Sequence, residues 1–97
     1  MQTIWREDLL ISAEENQKII ELNVPVGSQI LEPGVIFSNS LVLHILGVTE
    51  KEKTEKRKIL VTTVYEEITS VEYQNLQYIG SASTLDDTYF VFEIKKD

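Results

Sequence analysis

Short apolar and alternating runs constrain the fold of this chain more than any other feature of its sequence. Two examples are residues 41–46 (LVLHIL) and residues 89–94 (YFVFEI). Side chains alternate between the two faces of a strand, so runs of this length and period are typical of buried or half-buried β-strands. No long helical period separates the runs, which argues against parallel crossovers. The sequence therefore predicts an all-β, mostly antiparallel domain, a small sandwich or open barrel of six or seven strands.

The first and central runs illustrate the pattern. Residues 3–11 predict a half-buried strand with Trp5 on the apolar face, and Glu7 breaks the pattern because it falls on that same face. Residues 41–48 are apolar on both faces, so we expect both faces to be covered, one of them by a partner. Pro33-Gly34 interrupts the run 29–37, which predicts a bulge or an edge strand.

Residues 13–22 allow two interpretations, and the sequence leaves them open. Ile20, Leu22 and Val24 share one face of a strand, which favours a hairpin returning from the first strand. Ser12 followed by Glu15 resembles the capping box of a short helix.

The two C-terminal runs predict which side chains fill the core. The run 57–65 alternates between apolar and polar residues, and a polar turn at Asp86-Asp87 precedes the run 89–95. The predicted inward residues are Ile59, Val61 and Tyr65 in the run 57–65, and Phe90, Phe92 and Ile94 in the run 89–95.

Length and charge narrow the classes of function. The 97 residues predict one domain, residues 1–97, with no room for a second core. The net charge of −7 disfavours direct binding to nucleic acid or to an anionic membrane, because phosphates need Lys or Arg partners. An acidic surface suits a basic protein partner instead.

The absence of cysteine excludes disulfides, thiolate catalysis and cysteine zinc sites. It fits a reducing cytoplasm, and residues 1–6 do not have the pattern of a signal peptide. We therefore expect a cytoplasmic protein.

No spaced set of residues indicates an active site. The serines near His44 lack the glycine pattern of a nucleophile elbow. The carboxylate pairs Glu14-Glu15, Glu66-Glu67 and Asp86-Asp87 are adjacent residues, which point to opposite faces of a strand and predict solvated turns. We expect a protein that is not an enzyme and that carries no cofactor or metal.

Six residues are candidates for contact with a small ligand. The segment 50–58 holds five positive and three negative groups, so its charge is +2 while the remainder carries −9. Positive side chains there and elsewhere could bind phosphates, and tyrosines could stack on a base. The alternative interpretations are that His44 is a packed histidine without a ligand and that the segment 50–58 is a solvated hairpin tip. The candidate ligand-binding residues are Arg6, His44, Arg57, Lys58, Tyr65 and Tyr78.

Three stretches carry a resemblance to a known family. The sequence resembles an uncharacterised family of small bacteriophage accessory proteins at its start, in its middle and at its end. The matching segments are Thr3-Ile4-Trp5-Arg6, 26–31 (VGSQIL), 76–81 (LQYIGS) and 91–93 (VFE). The chain departs from that pattern in three places: at Glu7, where an aromatic residue is usual, in the segment 13–18, which is slightly longer, and in 41–48, which lacks the usual tryptophan.

The resemblance implies a counter-defence protein in the cytoplasm of an infected bacterium. The first hypothesis is a homo-oligomeric sponge that sequesters a small nucleotide-derived immune signal in a pocket between strands or subunits. The second is an acidic inhibitor that covers the basic groove of a host nuclease or defence effector, in the manner of a nucleic-acid mimic or an anti-CRISPR protein. Charge favours the second hypothesis, but the acidic residues are spread along the sequence.

Overall fold

The structure, a computed structural model, consists of seven β-strands joined by loops. All strand pairs are antiparallel, and the described residues form no α-helix. The strands are β1 (Gln2–Asp8), β2 (Gln17–Pro25), β3 (Gln29–Ile36), β4 (Ser40–Val48), β5 (Thr54–Thr62), β6 (Leu76–Ser83) and β7 (Thr88–Ile94). The described residues are 1–12, 14–37, 39–50, 53–68 and 75–95.

The strands form two sheets. A three-stranded sheet has the order β1-β4-β3, and a four-stranded sheet has the order β2-β5-β7-β6. The two sheets pack face to face as a small open β-sandwich. This architecture confirms the predicted all-β, mostly antiparallel fold.

The segment 13–22 is resolved in favour of a strand. β2 begins at Gln17, and residue 13 lies outside the described residues. The predicted hairpin is wrong in its partner, because β1 pairs with β4 and β2 pairs with β5 in the other sheet. Ser12 and Glu15 do make the contact of a capping box, since the Ser12 backbone N–H donates to the Glu15 carboxylate over 3.0 Å, but the chain then enters β2.

The core lies between the two sheets. Apolar residues from the inner faces of both sheets, together with Leu9, form one buried cluster, as the alternation of side chains in strands requires. Its members are Leu9, Leu22, Val24, Leu41, Leu43, Ile45, Ile59, Val61, Tyr89 and Val91.

The predicted inward face of β7 is wrong, although Ile94, one of the three residues predicted for the core, is buried. Tyr89 and Val91 belong to the core cluster, whereas Phe92 pairs across β5 with Leu60 on the outer face. Both faces of this run are apolar, so hydrophobicity alone does not set its phase. The phase observed turns Glu93 inward, where Arg57 neutralises it.

Tyr65 is also placed differently from the prediction. β5 ends at Thr62, so the alternation that would bring Tyr65 inward stops three residues earlier. The side chain of Tyr65 is fully exposed.

An ion-pair network crosses the interior at the end of the core. Arg57 Nε and Nη2 donate to the two carboxylate oxygens of Glu93, a bidentate pair. Arg57 Nη1 also donates to the Ser28 carbonyl over 2.8 Å and to the Glu55 carboxylate over 2.9 Å. Burial alone would raise the pKa of Glu93, but hydrogen bonds from Arg57 and Lys95 lower it below its ordinary value of 4.5.

A hydrogen bond explains why Glu7 stands on the apolar face of β1. The indole N–H of Trp5, the only tryptophan in the sequence, donates to the Glu7 carboxylate over 2.9 Å. A half-buried indole needs an acceptor, and Glu7 supplies it.

β3 is an edge strand with a bulge, as Pro33 predicts. Its register with β4 shifts between Ile30 and Pro33. At this edge of the sandwich β3 closely approaches β6. A Cβ placed at Gly80 would lie only 2.8 Å from the Pro33 ring. Only glycine fits between the two edges without moving them.

Candidate functional site

Two of the six candidate residues are neighbours. Arg6 on β1 and His44 on β4 are directly paired across the outer face of the three-stranded sheet. Arg6 is exposed and makes no hydrogen bond or ion pair with any described residue, so its guanidinium is available.

His44 is held in one orientation by β3. Its Nδ1 lies 2.8 Å from the Glu32 carbonyl oxygen. A carbonyl can only accept, so Nδ1 carries the hydrogen and Nε2 is left to face a ligand. The ring packs over Gly34, where a Cβ would lie 3.0 Å from His44 Cε1. The bulge of β3 and this glycine therefore fix the imidazole in place.

An open hollow of about 390 Å³ lies beside this histidine, lined by Ile4, Leu31, Glu32 and His44. Its walls are mostly apolar, and His44 and Glu32 are the polar residues that line it. The carboxylate of Glu32 opposes the binding of a phosphate here, even with Arg6 nearby.

The other four candidates lie elsewhere. Lys58 and Tyr78 are on the outer face of the four-stranded sheet, where Tyr78 packs against Phe92 with ring centroids 5.4 Å apart. Arg57 is committed to the interior ion-pair network. Tyr65 lies in the loop after β5. One chain therefore brings together only Arg6 and His44.

The strand register brings three acidic loops to one end of the sandwich. β2 begins where β5 ends, because Gln17 pairs with Thr62, and Thr62 pairs in turn with Phe90 near the start of β7. The loops at this end carry three pairs of adjacent carboxylates. We call this set the acidic end: Glu14, Glu15, Glu66, Glu67, Asp86 and Asp87.

Hydrogen bonds hold these loops in place. The Thr63 backbone N–H donates to the Asn16 carbonyl over 2.9 Å, and Gln17 Nε2 donates to the Glu67 carbonyl over 3.3 Å. In the hairpin between β6 and β7, the Thr84 backbone N–H donates to the Asp87 carbonyl over 2.9 Å. The carboxylates are thus presented by fixed backbone.

Tyr89 points from the core toward the acidic end. Its side chain is 2% exposed, and its hydroxyl makes no hydrogen bond with a described residue. Burial raises the pKa of this phenol, and negative charges add to the shift. Those charges belong to Asp87, Asp86 and Glu15. No buried side-chain oxygen or nitrogen of the described residues lacks a hydrogen-bond partner, so the Tyr89 hydroxyl reaches the surface, on the side of these three carboxylates.

The charge of the acidic end is poorly compensated. Among the described residues, Lys18 is the cation that pairs there, with its ammonium 3.7 Å from the Glu15 carboxylate. Six carboxylates against that ammonium leave −5, most of the chain's net −7. Lys53, Lys56 and Lys95 lie toward the other end, near the start of β5 and the end of β7. The acidic end is therefore a region of concentrated negative charge, which steers approaching cationic partners.

Exposed apolar side chains accompany the carboxylates. Leu10 follows β1, Phe37 lies in the hairpin between β3 and β4, and Tyr65 follows β5, so all three sit at the strand ends that form this side of the molecule. They are 72%, 89% and 101% exposed. Val64 and Leu85, in the same loops as the acids, are exposed as well.

These three residues share an uncommon backbone conformation. Leu10, Phe37 and Tyr65 have φ angles of 51°, 53° and 67°, the left-handed region that bulky residues rarely adopt. At Leu10 the conformation is fixed from both sides. The Asp8 carboxylate accepts from the Leu10 N–H over 2.9 Å, and Lys18 Nζ donates to the Leu10 carbonyl over 3.0 Å. Such strain concentrates at functional loops.

The sequence held only part of the signal for this surface. The sequence predicted each carboxylate pair as a solvated turn. It did not predict that these turns lie together, because their proximity depends on the pairing of β2, β5 and β7, which are distant in the sequence. The sequence does not predict which residues adopt the left-handed conformation, because leucine, phenylalanine and tyrosine rarely adopt it.

No family model, curated protein or solved structure matches this chain. Among the described residues, no group of three or more His, Cys, Asp or Glu side chains could hold a metal ion. The described part of the chain also contains no helix with the length and hydropathy of a membrane span.

Proposed function

We propose that this protein is a non-enzymatic inhibitor that uses its acidic end to occupy a basic, nucleic-acid-binding surface of another protein. The observation that carries the proposal is that three loops, each with a pair of adjacent carboxylates, meet at one end of the sandwich, where the Tyr89 phenol faces Asp87, Asp86 and Glu15. Fixed carboxylates can replace the phosphates of a nucleic acid, and complementary charge gives rapid and selective association. The resemblance to bacteriophage accessory proteins suggests a defence effector or nuclease of the infected bacterium as the target.

Displacement of DNA tests this proposal. A panel of purified bacterial nucleases and nucleic-acid-binding proteins is loaded with fluorescently labelled DNA, and fluorescence anisotropy reports its release. We expect the protein to displace DNA from at least one panel member, less effectively as salt is raised. The variant E66Q/E67Q is expected to need about tenfold more protein, since two charge contacts are lost.

The matched control is E21Q/E32Q, which removes the same number of carboxylates from β2 and β3, away from the acidic end. It should displace DNA within about twofold of the wild type, since only distant charge is lost. Equal losses in the two variants would show that net charge alone is responsible. Displacement from no panel member would overturn the proposal.

A second candidate is the nucleotide sponge, which the pairing of Arg6 with His44 beside the hollow favours. A sponge needs only tight binding and no chemistry. If it is correct, protein purified from cells with an active nucleotide-signalling defence and then heat-denatured releases a nucleotide that mass spectrometry detects. Replacement of both residues, R6Q/H44Q, should abolish the release, and K58Q should not. An empty supernatant from the wild type would refute the sponge.

A further inference from the structure

The exposed aromatic rings at the acidic end bear on which kind of nucleic-acid-binding protein is the target. This step rests on the proposed function. Phe37 and Tyr65 are almost fully exposed to solvent, at the end of the sandwich where the loops carry the carboxylates. Aromatic side chains are the commonest anchors of protein interfaces, because they bury a large area at a low cost in conformational entropy.

The combination of carboxylates with free rings resembles a single strand more than a duplex. In a duplex the bases are stacked inside, and a protein reads phosphates and the edges of base pairs in the grooves. A single strand exposes flat bases as well as phosphates, and its binding proteins receive them on aromatic platforms within a basic groove. Only a groove of the second kind has places for both the carboxylates and the rings.

The backbone at Phe37 and Tyr65 supports a role in contact with a partner. Each ring could be replaced by a residue that adopts the left-handed region more easily, yet a bulky apolar residue stands there in a solvent-exposed loop. Packing among the residues that the structure describes gives no reason for either ring, since neither belongs to the core or to the residues that pack against it.

We propose that Phe37 and Tyr65 occupy the base-stacking positions of a protein that binds single-stranded nucleic acid, while the carboxylates of the acidic end occupy its phosphate positions. Leu10 is a third exposed apolar residue at this end. The partner class is thus a protein with a basic groove lined by aromatic side chains, as in oligonucleotide-binding barrels.

The test uses two sets of probes from the same panel. One set is single-strand-binding barrel proteins loaded with a labelled thymidine 20-mer, and the other is helix-turn-helix repressors loaded with their labelled duplex operators. We expect the wild type to release the single strand and leave the duplexes bound. The variant F37N/Y65N should need at least about tenfold more protein for release, in line with the loss of two stacked rings.

Asparagine adopts the left-handed conformation more readily than an aromatic residue, so F37N/Y65N should fold with a midpoint of thermal unfolding no lower than that of the wild type. The matched control is Y78N, which removes a half-exposed ring from the outer face of β6. It should release the single strand within about twofold of the wild type.

The possible failures are distinguishable. If the wild type releases neither kind of DNA, the proposed function falls and this inference falls with it. If it releases only duplexes, or if F37N/Y65N releases the single strand as well as the wild type does, the acidic end remains an inhibitory surface but the role of the rings is refuted.

Discussion

Replacement of Arg57 by methionine is expected to lower the free energy of unfolding by about 3–5 kcal/mol. The side chain of Glu93 is only 6% exposed, and Arg57 supplies both hydrogen bonds of its bidentate pair. Without the guanidinium a carboxylate remains in the interior with one contact, from Lys95 at 3.2 Å. Chemical denaturation followed by the fluorescence of Trp5 measures the change.

The double variant R57M/E93M is the control for this prediction. Apolar residues of similar length should recover most of the lost stability, because replacing a buried ion pair by hydrophobic residues is often neutral or stabilising. A cost below about 1 kcal/mol for R57M alone would contradict the structural role and return Arg57 to the set of free, ligand-binding cations.

The same pair has a signature in the dependence of stability on pH. The pKa of Glu93 is lower in the folded state than its ordinary value of 4.5, so its contribution to stability is complete above that value. The contribution is lost as the pH falls below 4.5 and through the pKa of the folded state. Wild-type protein should therefore lose more stability than R57M/E93M over this acidic range.

Part of this network was predictable from the sequence. Ile59 and Val61 were correctly expected to face inward, and the same period of two places Arg57 inward as well. The inward position of Arg57 was not predicted, because a run of three consecutive cations, 56–58 (KRK), is typical of a solvent-exposed segment. The acid that pairs with Arg57 lies 36 residues away, and only the pairing of β5 with β7 brings it there.

The phase of β7 shows the limit of hydrophobic patterning. The outer face was predicted to be the core face because it carries the apolar residues 90, 92 and 94. The inner face was predicted to be solvent-exposed because it carries Glu93. A buried charge reverses such a pattern when its partner comes from another strand. The acidic end was hidden for the same reason, since its three loops meet only through pairing between distant strands.

Substitution of two adjacent aromatic residues tests which face of β7 points into the core. Tyr89→Ala is expected to lower the free energy of unfolding by about 3–5 kcal/mol, because Tyr89 is among the largest fully buried side chains and its removal leaves a cavity between the sheets. Phe90→Ala, on the half-buried outer face, should cost about half as much or less. Denaturation of both variants under one set of conditions measures the ratio, and a larger cost for Phe90→Ala would show that β7 presents the other face to the core.

Tyr89→Phe separates the packing of this ring from its hydroxyl. Because the hydroxyl makes no hydrogen bond with a described residue, its loss should change the free energy of unfolding by no more than about 0.5 kcal/mol. The ring then keeps the two sheets together, while the donor it carries is free to meet a group from outside the chain. A cost of 2 kcal/mol or more, on the order of a buried group left unpaired, would mean that the hydroxyl is bonded within the fold and offers nothing to a partner at the acidic end.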